Sequence, residues 1–230
     1  MKILFVAATE FELHQFVENL DKIDREGSVV SSYKWHDLEI DLVITGLGMV
    51  FTTYCLTKVL KEKEYDLVIN AGIAGSFSDE LSIGTVVNVK SEQFSDLGIE
   101  EPGTFKTLFE VGFLEKNQFP FKDGKLLNPQ NNGEFNLPDV NGISGSMSHG
   151  CPNTISKVIK EFSPDVESME GGAVFYVCLQ EKIPFLEIRA ISNIVEARDT
   201  TKWDIPTALE NLTDELFKIL RTFAKIKQLS

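Results

Sequence analysis

Three polar residues stand where apolar runs give way to other patterns. Glu12 lies in "AATEFEL" just after the first such run, Glu170 in "VESMEGG" ahead of a helical pattern, and Asn193 in "RAISNIV" at the end of the last apolar run. Between them lies "NAGIAGS", Asn70 to Ser76, which reads as a glycine-rich turn able to turn backbone N–H groups toward an anion or a polar ligand. It contains no lysine, so it is no P-loop, and a triphosphate is not its expected ligand. Two carboxylates at different strand ends, a glycine-rich segment and an amide suit a pocket for a neutral polar molecule whose transition state is cationic. Cleavage of a C–N glycosidic bond has that character: one carboxylate can serve as base for water while another holds sugar hydroxyls and favours the oxocarbenium ion.

Each feature also has an ordinary reading. Thr9-x-x-Glu12 fits a capping box, in which Glu12 reaches back to the start of its helix. A carboxylate such as Glu170 is favoured at a helix N-terminus by the macrodipole. The glycines serve equally as a tight turn, and Asn193 as a turn or cap residue. The stretch "TGLGMVF" resembles a dinucleotide fingerprint, but Phe51 occupies the position of the third small residue, which excludes close helix–strand packing of that kind.

The elements that must position these residues follow from periodicity. "KILFVAA" is a strand-length apolar run, and Phe11, Leu13, Phe16, Val17 and Leu20 repeat as in a helix. "SVVSSYKWHD" and "LEIDLVITG" read as a hairpin joined at Asp37, followed by a helix over "GMVFTTYCLTKVLKEK" and a buried strand over "YDLVINAG". "GTVVNVKSEQF" is the next strand. From about 95 to 138 the texture changes to Gly, Pro, Asn and scattered phenylalanines, an excursion from the core. "NGISGSMS" then forms a strand, "PNTISKVIKEF" a helix, "DVESM" a short extended piece, "EGGAVFYVCLQEK" a helix, "PFLEIRAIS" a strand, and about 205 to 227 a final helix. Such alternation predicts one α/β domain over 1–230, with a mixed, largely parallel sheet flanked by helices. Ligands of such sheets sit beyond the strand ends.

Composition bounds the partners. The chain has 230 residues, 43% apolar and 25% charged, with a formal net charge of -13 from 35 acidic and 22 basic residues. That balance argues against nucleic acid and against an anionic membrane surface. No apolar run approaches the roughly 20 residues that cross a bilayer, and Glu10 and Glu12 interrupt the N-terminus before a signal-like region is complete, so a cytoplasmic protein is expected. Cys55, Cys151 and Cys178, with His14, His36 and His149, show no metal-ligand spacing, so neither metal nor cofactor is expected.

"MKILFVAATEFEL", "ITGLGMV", "INAGIAGSF", "VESMEGGAV" and "IRAISNIVE", in that order over nearly the whole chain, resemble the nucleoside phosphorylase and nucleosidase superfamily. The combination of the Met-Glu-Gly element with Arg-x-Ile-Ser-Asn is the specific part. The resemblance implies a twisted mixed sheet, partly closed into a barrel and surrounded by helices. It also implies a homodimer or larger homo-oligomer acting on a small-molecule nucleoside. Within the superfamily the chain is most similar to the futalosine hydrolases, which remove hypoxanthine from futalosine in a menaquinone pathway. It implies Glu12 as the residue that activates water, Met169 against the ribose, Glu170 on the ribose hydroxyls and Asn193 facing the purine. Gly72, Ile73, Ala74 and Ser148 would complete the substrate site. Adenine-specific relatives resemble one another in having Asp where Asn193 stands; an amide donor suits the N7 and O6 acceptors of a 6-oxopurine.

Two further departures matter. Ile73 replaces a serine common in the superfamily, which favours water over phosphate as nucleophile. Ser148 stands where relatives have an aromatic residue, so a phenylalanine from the excursion is expected to complete the purine pocket. The phenylalanines could also receive an aromatic substituent of the substrate or form core and interface, with Arg189 and Arg198 as candidates for its carboxylate. The competing functions are methylthioadenosine or adenosylhomocysteine hydrolysis, purine nucleoside phosphorolysis, and purine-nucleoside binding without turnover.

Overall fold

The computed structural model describes residues 1–23, 29–129 and 135–229, with side chains described to residue 224. The N-terminal apolar run forms β1 (Lys2–Ala7), followed by α1 (Glu10–Val17), β2 (Asp21–Ile23), β3 (Ser31–Trp35), β4 (Leu38–Ile44) and α2 (Met49–Glu62). The middle of the chain supplies β5 (Leu67–Ser76), β6 (Val86–Phe94), β7 (Gly98–Glu101), β8 (Thr104–Thr107), β9 (Leu126–Leu127) and β10 (Asp139–Ser144). The last third supplies α3 (Pro152–Phe162), β11 (Val166–Ser168), α4 (Gly171–Glu181), β12 (Phe185–Ile194) and α5 (Ile205–Leu229).

The sheet closes on itself. Strands β11, β10, β6, β12 and β5 pair in that order, and β11 pairs back onto the end of β5, giving a five-membered ring. From β5 the sheet continues outward through β1, β4, β3 and β2. Pairing is mixed: β5 is parallel to both β1 and β12, whereas β12–β6 and β11–β5 are antiparallel. This is the barrel-bearing α/β fold that the sequence leads one to expect. The expected hairpin is β3–β4, turning at His36 and Asp37 with His36 at φ 52°. The first residue of that expected hairpin, Ser28, and residues 130–134 of the excursion lie outside the described residues.

Core packing follows from residue type. Ile3, Leu4, Phe5 and Val6 of β1 are all buried because both faces of the sheet are covered, so the run is continuously apolar rather than alternating. Leu209, Leu212, Leu216, Ile219 and Leu220 form the buried stripe of α5 at helical spacing. Phe16 joins α1 to both neighbours, 4.8 Å from Phe5 and 5.0 Å from Phe217 between ring centroids. Each such fully buried side chain contributes about 1.5–3 kcal/mol. Among the described residues, no helix is long and apolar enough to cross a membrane.

Three expectations change. The run "NAGIAGS" is no turn: β5 extends through it to Ser76, hydrogen-bonded to β12 along its length. Asn193 likewise lies inside β12 rather than after it. The excursion contains a β7–β8 hairpin, and its phenylalanines largely serve packing: Phe105 against Phe162, Phe109 and Phe121 against one another, and Phe135 against Phe223. Phe113 and Phe119 remain exposed.

Candidate active site

Glu12 does two things at once. One carboxylate oxygen accepts from the backbone N–H of Ala8 and Thr9, at 3.0 and 3.1 Å, completing the capping box of α1. The other accepts from the N–H of Ile73 on β5 at 3.3 Å. The cap therefore positions the carboxylate over the barrel strand, and the two sequence readings of Glu12 are compatible. A Cβ on Gly72 would collide with that Glu12 oxygen and lie 2.5 Å from Nη1 of Arg189. The glycine is required for close approach of side chains, not for a turn.

Around it lies a buried charge cluster. Arg189, 2% exposed, donates through Nε to Glu187 at 2.7 Å, and its Nη2 lies 3.9 Å from Glu170. Burial works against the guanidinium charge, but Glu187, Glu170 and Glu12 together hold it above its ordinary pKa. Glu170 precedes α4 and accepts from the N–H of Gly48, at the start of α2, at 2.9 Å. Burial raises the Glu170 pKa, with the Glu12 charge adding and Arg189 and the Gly48 N–H opposing. Beneath them Glu92 is pushed well above the usual carboxylate range, by burial first and then by the Glu187 charge. A Cβ on Gly171 would meet Glu92 and would lie 2.5 and 2.6 Å from the two Glu187 oxygens, so the start of α4 needs its glycine to pass over this pair. With Arg189 outnumbered by the surrounding carboxyl groups, the region favours positive charge in a ligand.

The amide end is built by a β-bulge. Ile191 pairs with Ala74 and Asn193 with Gly75, so Ser192 is an extra residue and Asn193 takes the place beside Gly75 that regular pairing would give Ser192. The Ser192 hydroxyl donates to Asn193 Oδ1 at 2.9 Å, and Asn193 Nδ2 donates to the Ile194 carbonyl at 3.2 Å. This network assigns the amide orientation and leaves the second N–H of Nδ2 as the group to offer a ligand. Glu12 meets β5 at Gly72 and Ile73; Asn193 meets it at Gly75, about 7 Å farther along the strand. That separation suits a sugar at one station and an attached base at the other.

A cavity of about 170 Å³ opens at the amide and is lined by Asn193, His149, Arg198 and Trp203 among others. Glu167 of β11 also belongs here: the point where a Cβ on Gly75 would sit is 3.2 Å from Asn193 Nδ2 and 3.5 Å from Glu167 Cγ. His149 donates its backbone N–H to Glu167 at 3.0 Å, and its Nδ1 lies 2.6 Å from Glu167 Oε2.

The residues expected from sequence thus fall into two groups. Glu12, Gly72, Ile73 and Glu170 gather around Arg189, while Asn193 lies at the cavity. Ala74 is buried in the core, and its backbone carbonyl lies 3.3 Å from the Ser192 hydroxyl. Met169 is half-buried next to Glu170. Ser148 is exposed, its hydroxyl accepting from Arg198 at 3.1 Å. The aromatic residue at the cavity is Trp203 rather than a phenylalanine of the excursion, and Arg198 sits over its ring at 5.2 Å. Arg189 is buried and donates to Glu187 through Nε, while its Nη2 has no hydrogen-bond partner among the described residues. Sequence reasoning missed Glu167, His149 and Trp203. Their only local signal is a polar or aromatic residue in a loop or short strand, because β11 and the loop after β12 reach the site through distant pairings. Among the described residues, no group of three or more His, Cys, Asp or Glu could hold a metal ion.

The comparisons with known proteins agree with this architecture. The chain belongs to the Phosphorylase superfamily, whose family model matches residues 2–225, and it is an enzyme of that superfamily. It is 27% identical over 205 residues to the 5'-methylthioadenosine/S-adenosylhomocysteine nucleosidase of Shewanella halifaxensis, covering 84% of this chain and 86% of that protein. The native structure of futalosine hydrolase of Helicobacter pylori strain 26695 superposes with a TM-score of 0.79 at 18% identity, covering 96% of this chain and 98% of that one. The Helicobacter pylori 5'-methylthioadenosine/S-adenosyl homocysteine nucleosidase gives the same TM-score, 0.79, at 18% identity and the same coverages, 96% and 98%. Likeness at that identity establishes the fold.

Proposed function

We propose that this protein is a purine nucleosidase that hydrolyses the N-glycosidic bond of a 6-oxopurine nucleoside, futalosine, releasing hypoxanthine. The observation that carries this is the Asn193 amide: its oxygen is engaged by Ser192, so it offers an N–H to the base. That donor matches the N7 and O6 acceptors of hypoxanthine. The exocyclic amine of adenine would face a second donor, at a cost of about 1–3 kcal/mol for an unsatisfied buried group.

The roles follow from position. Glu12 takes a proton from the attacking water, Glu170 holds the ribose hydroxyls, and Met169 packs against the ribose. The carboxylates favour the oxocarbenium ion as C1′–N9 breaks. Gly72, Ile73 and Ala74 line the β5 edge of the substrate, and Ser148 borders the base through Arg198. Ile73 packs its side chain on the main core and supplies no hydroxyl for phosphate, which favours hydrolysis.

The partner is a small nucleoside in the cytoplasm, with no part for nucleic acid, a membrane surface or a cofactor. The protein acts as a homodimer or larger homo-oligomer. Leu47, Val50, Phe51 and Tyr54 at the start of α2 are 60%, 79%, 62% and 69% exposed, forming an apolar face beside Gly48 and Glu170 that a second copy would cover.

A second reading, hydrolysis of methylthioadenosine or adenosylhomocysteine, is favoured by the name of the Shewanella relative and opposed by Asn193. Chromatography of the free base released from futalosine, inosine and methylthioadenosine, with and without phosphate, separates the readings. Phosphate-independent hypoxanthine release is expected; adenine release exceeding it, or strong phosphate dependence, would overturn the assignment.

A further inference from the structure

A departing purine takes a proton at N7, and Asn193 has none to give: a carboxamide is not an acid at neutral pH. We propose that the buried Glu167–His149 pair supplies that proton, with His149 as the general acid and Glu167 as the residue that orients it. The proposal rests on the nucleosidase reading but not on the identity of the base, since N7 is common to hypoxanthine and adenine.

Three observations carry it. First, Glu167 of β11 and Asn193 of β12 both pair with Gly75 of β5, one from each side, so the pair stands beside the amide that faces the base. Second, both side chains are nearly closed to solvent, 6% exposed for His149 and 7% for Glu167, and joined at 2.6 Å. A carboxylate held against Nδ1 keeps a proton on that nitrogen and fixes the orientation of the ring. Third, His149 lines the same cavity as Asn193, and its Nε2 has no hydrogen-bond partner among the described residues. That nitrogen is therefore free of any competing protein partner among the described residues.

The reaction then balances. Water oxygen bonds to C1′ as its proton passes to Glu12. The C1′–N9 electron pair enters the purine, and His149 Nε2–H passes its proton to N7, leaving a neutral imidazole. The proton on Glu12 returns to solvent, from which His149 is recharged.

Other charged groups around His149 are engaged elsewhere or stand farther off. Across the cavity Glu196 pairs with Lys202 at 2.5 Å, Asp199 accepts from Thr201, and Arg198 donates to Ser148. On the opposite side, around a second cavity that His149 also lines, stand Asp96, Glu100 and Glu161 with Lys157 and Lys160. Glu167 alone hydrogen-bonds the imidazole among the described residues.

The test uses the full-length protein and whichever of futalosine or methylthioadenosine the wild type cleaves, so a wrong substrate reading shows in the wild type and leaves this question intact. His149→Gln should lower kcat roughly 10²- to 10⁴-fold, the range of general-acid catalysis, with KM changed less than about threefold. The alkaline limb of the wild-type kcat profile should vanish. On 7-methylinosine, whose imidazole ring is already cationic, the same variant should lose less than about threefold. Glu167→Gln should show the same pattern more weakly, with thermal melting confirming that both variants fold. An unchanged kcat, an alkaline limb that persists in His149→Gln, or equal losses on both kinds of substrate would overturn the proposal. Should the wild type not cleave 7-methylinosine, the alkaline limb decides.

Discussion

Gly72→Ala puts the packing of the site to a direct test. The added methyl carbon would lie 2.5 Å from Arg189 Nη1, whereas ordinary contact begins at 3.4 Å, and it would collide with the Glu12 carboxylate. The guanidinium must therefore withdraw about 0.9 Å or the carboxylate must leave Ile73. A misplacement of about 1 Å at a reacting group costs on the order of 10²-fold in rate. Overpacking costs a further 1–3 kcal/mol or so of stability, roughly 2–12 °C in melting temperature for a chain of this size. Free-base release at saturating nucleoside, measured well below the melting transition, gives kcat separately from the stability loss. If kcat stays within about threefold of wild type, Gly72 is only a strand residue and the close approach of Glu12 to β5 is not needed for the chemistry.

Further predictions concern the same cluster. Glu12→Gln keeps the shape of the cap but removes the base, and kcat should fall roughly 10²- to 10⁴-fold; near-normal turnover would return Glu12 to helix capping alone. Glu92 holds its proton to a higher pH in the native protein than in the unfolded chain, where its ordinary value is near 4.5. The unfolded chain thus loses that proton first as pH rises, and stability falls from about pH 4.5 up to the native titration. Glu92→Gln has no proton to lose, so its melting temperature relative to wild type should climb as pH rises above about 4.5; parallel curves would refute the sign.

The strand–helix order, the early hairpin and the placement of Glu12 and Glu170 at helix starts were legible because each rests on local periodicity or a local cap. The path of β5 was not. Gly72 and Gly75 look like turn residues in isolation, yet pairing to β12 carries the strand straight through them, and their small size admits Glu12, Arg189 and Asn193. The Ser192 bulge is also invisible locally, since it exists only as a mismatch between two strands 118 residues apart at Ala74 and Ser192. His149, Glu167 and Trp203 were hidden for the same reason: closure of the barrel through the three-residue β11, not spacing in sequence, brings Glu167 to Gly75.

The central claim is that the amide of Asn193 chooses a 6-oxopurine. The ratio of kcat/KM for futalosine to that for methylthioadenosine, without phosphate, measures it in wild type and in Asn193→Asp. A donor-to-donor mismatch of about 1–3 kcal/mol corresponds to roughly 5- to 150-fold. The ratio should exceed one in the wild type and fall by about that factor in the variant; a wild-type ratio below one, or a ratio that the substitution leaves unmoved, would contradict it.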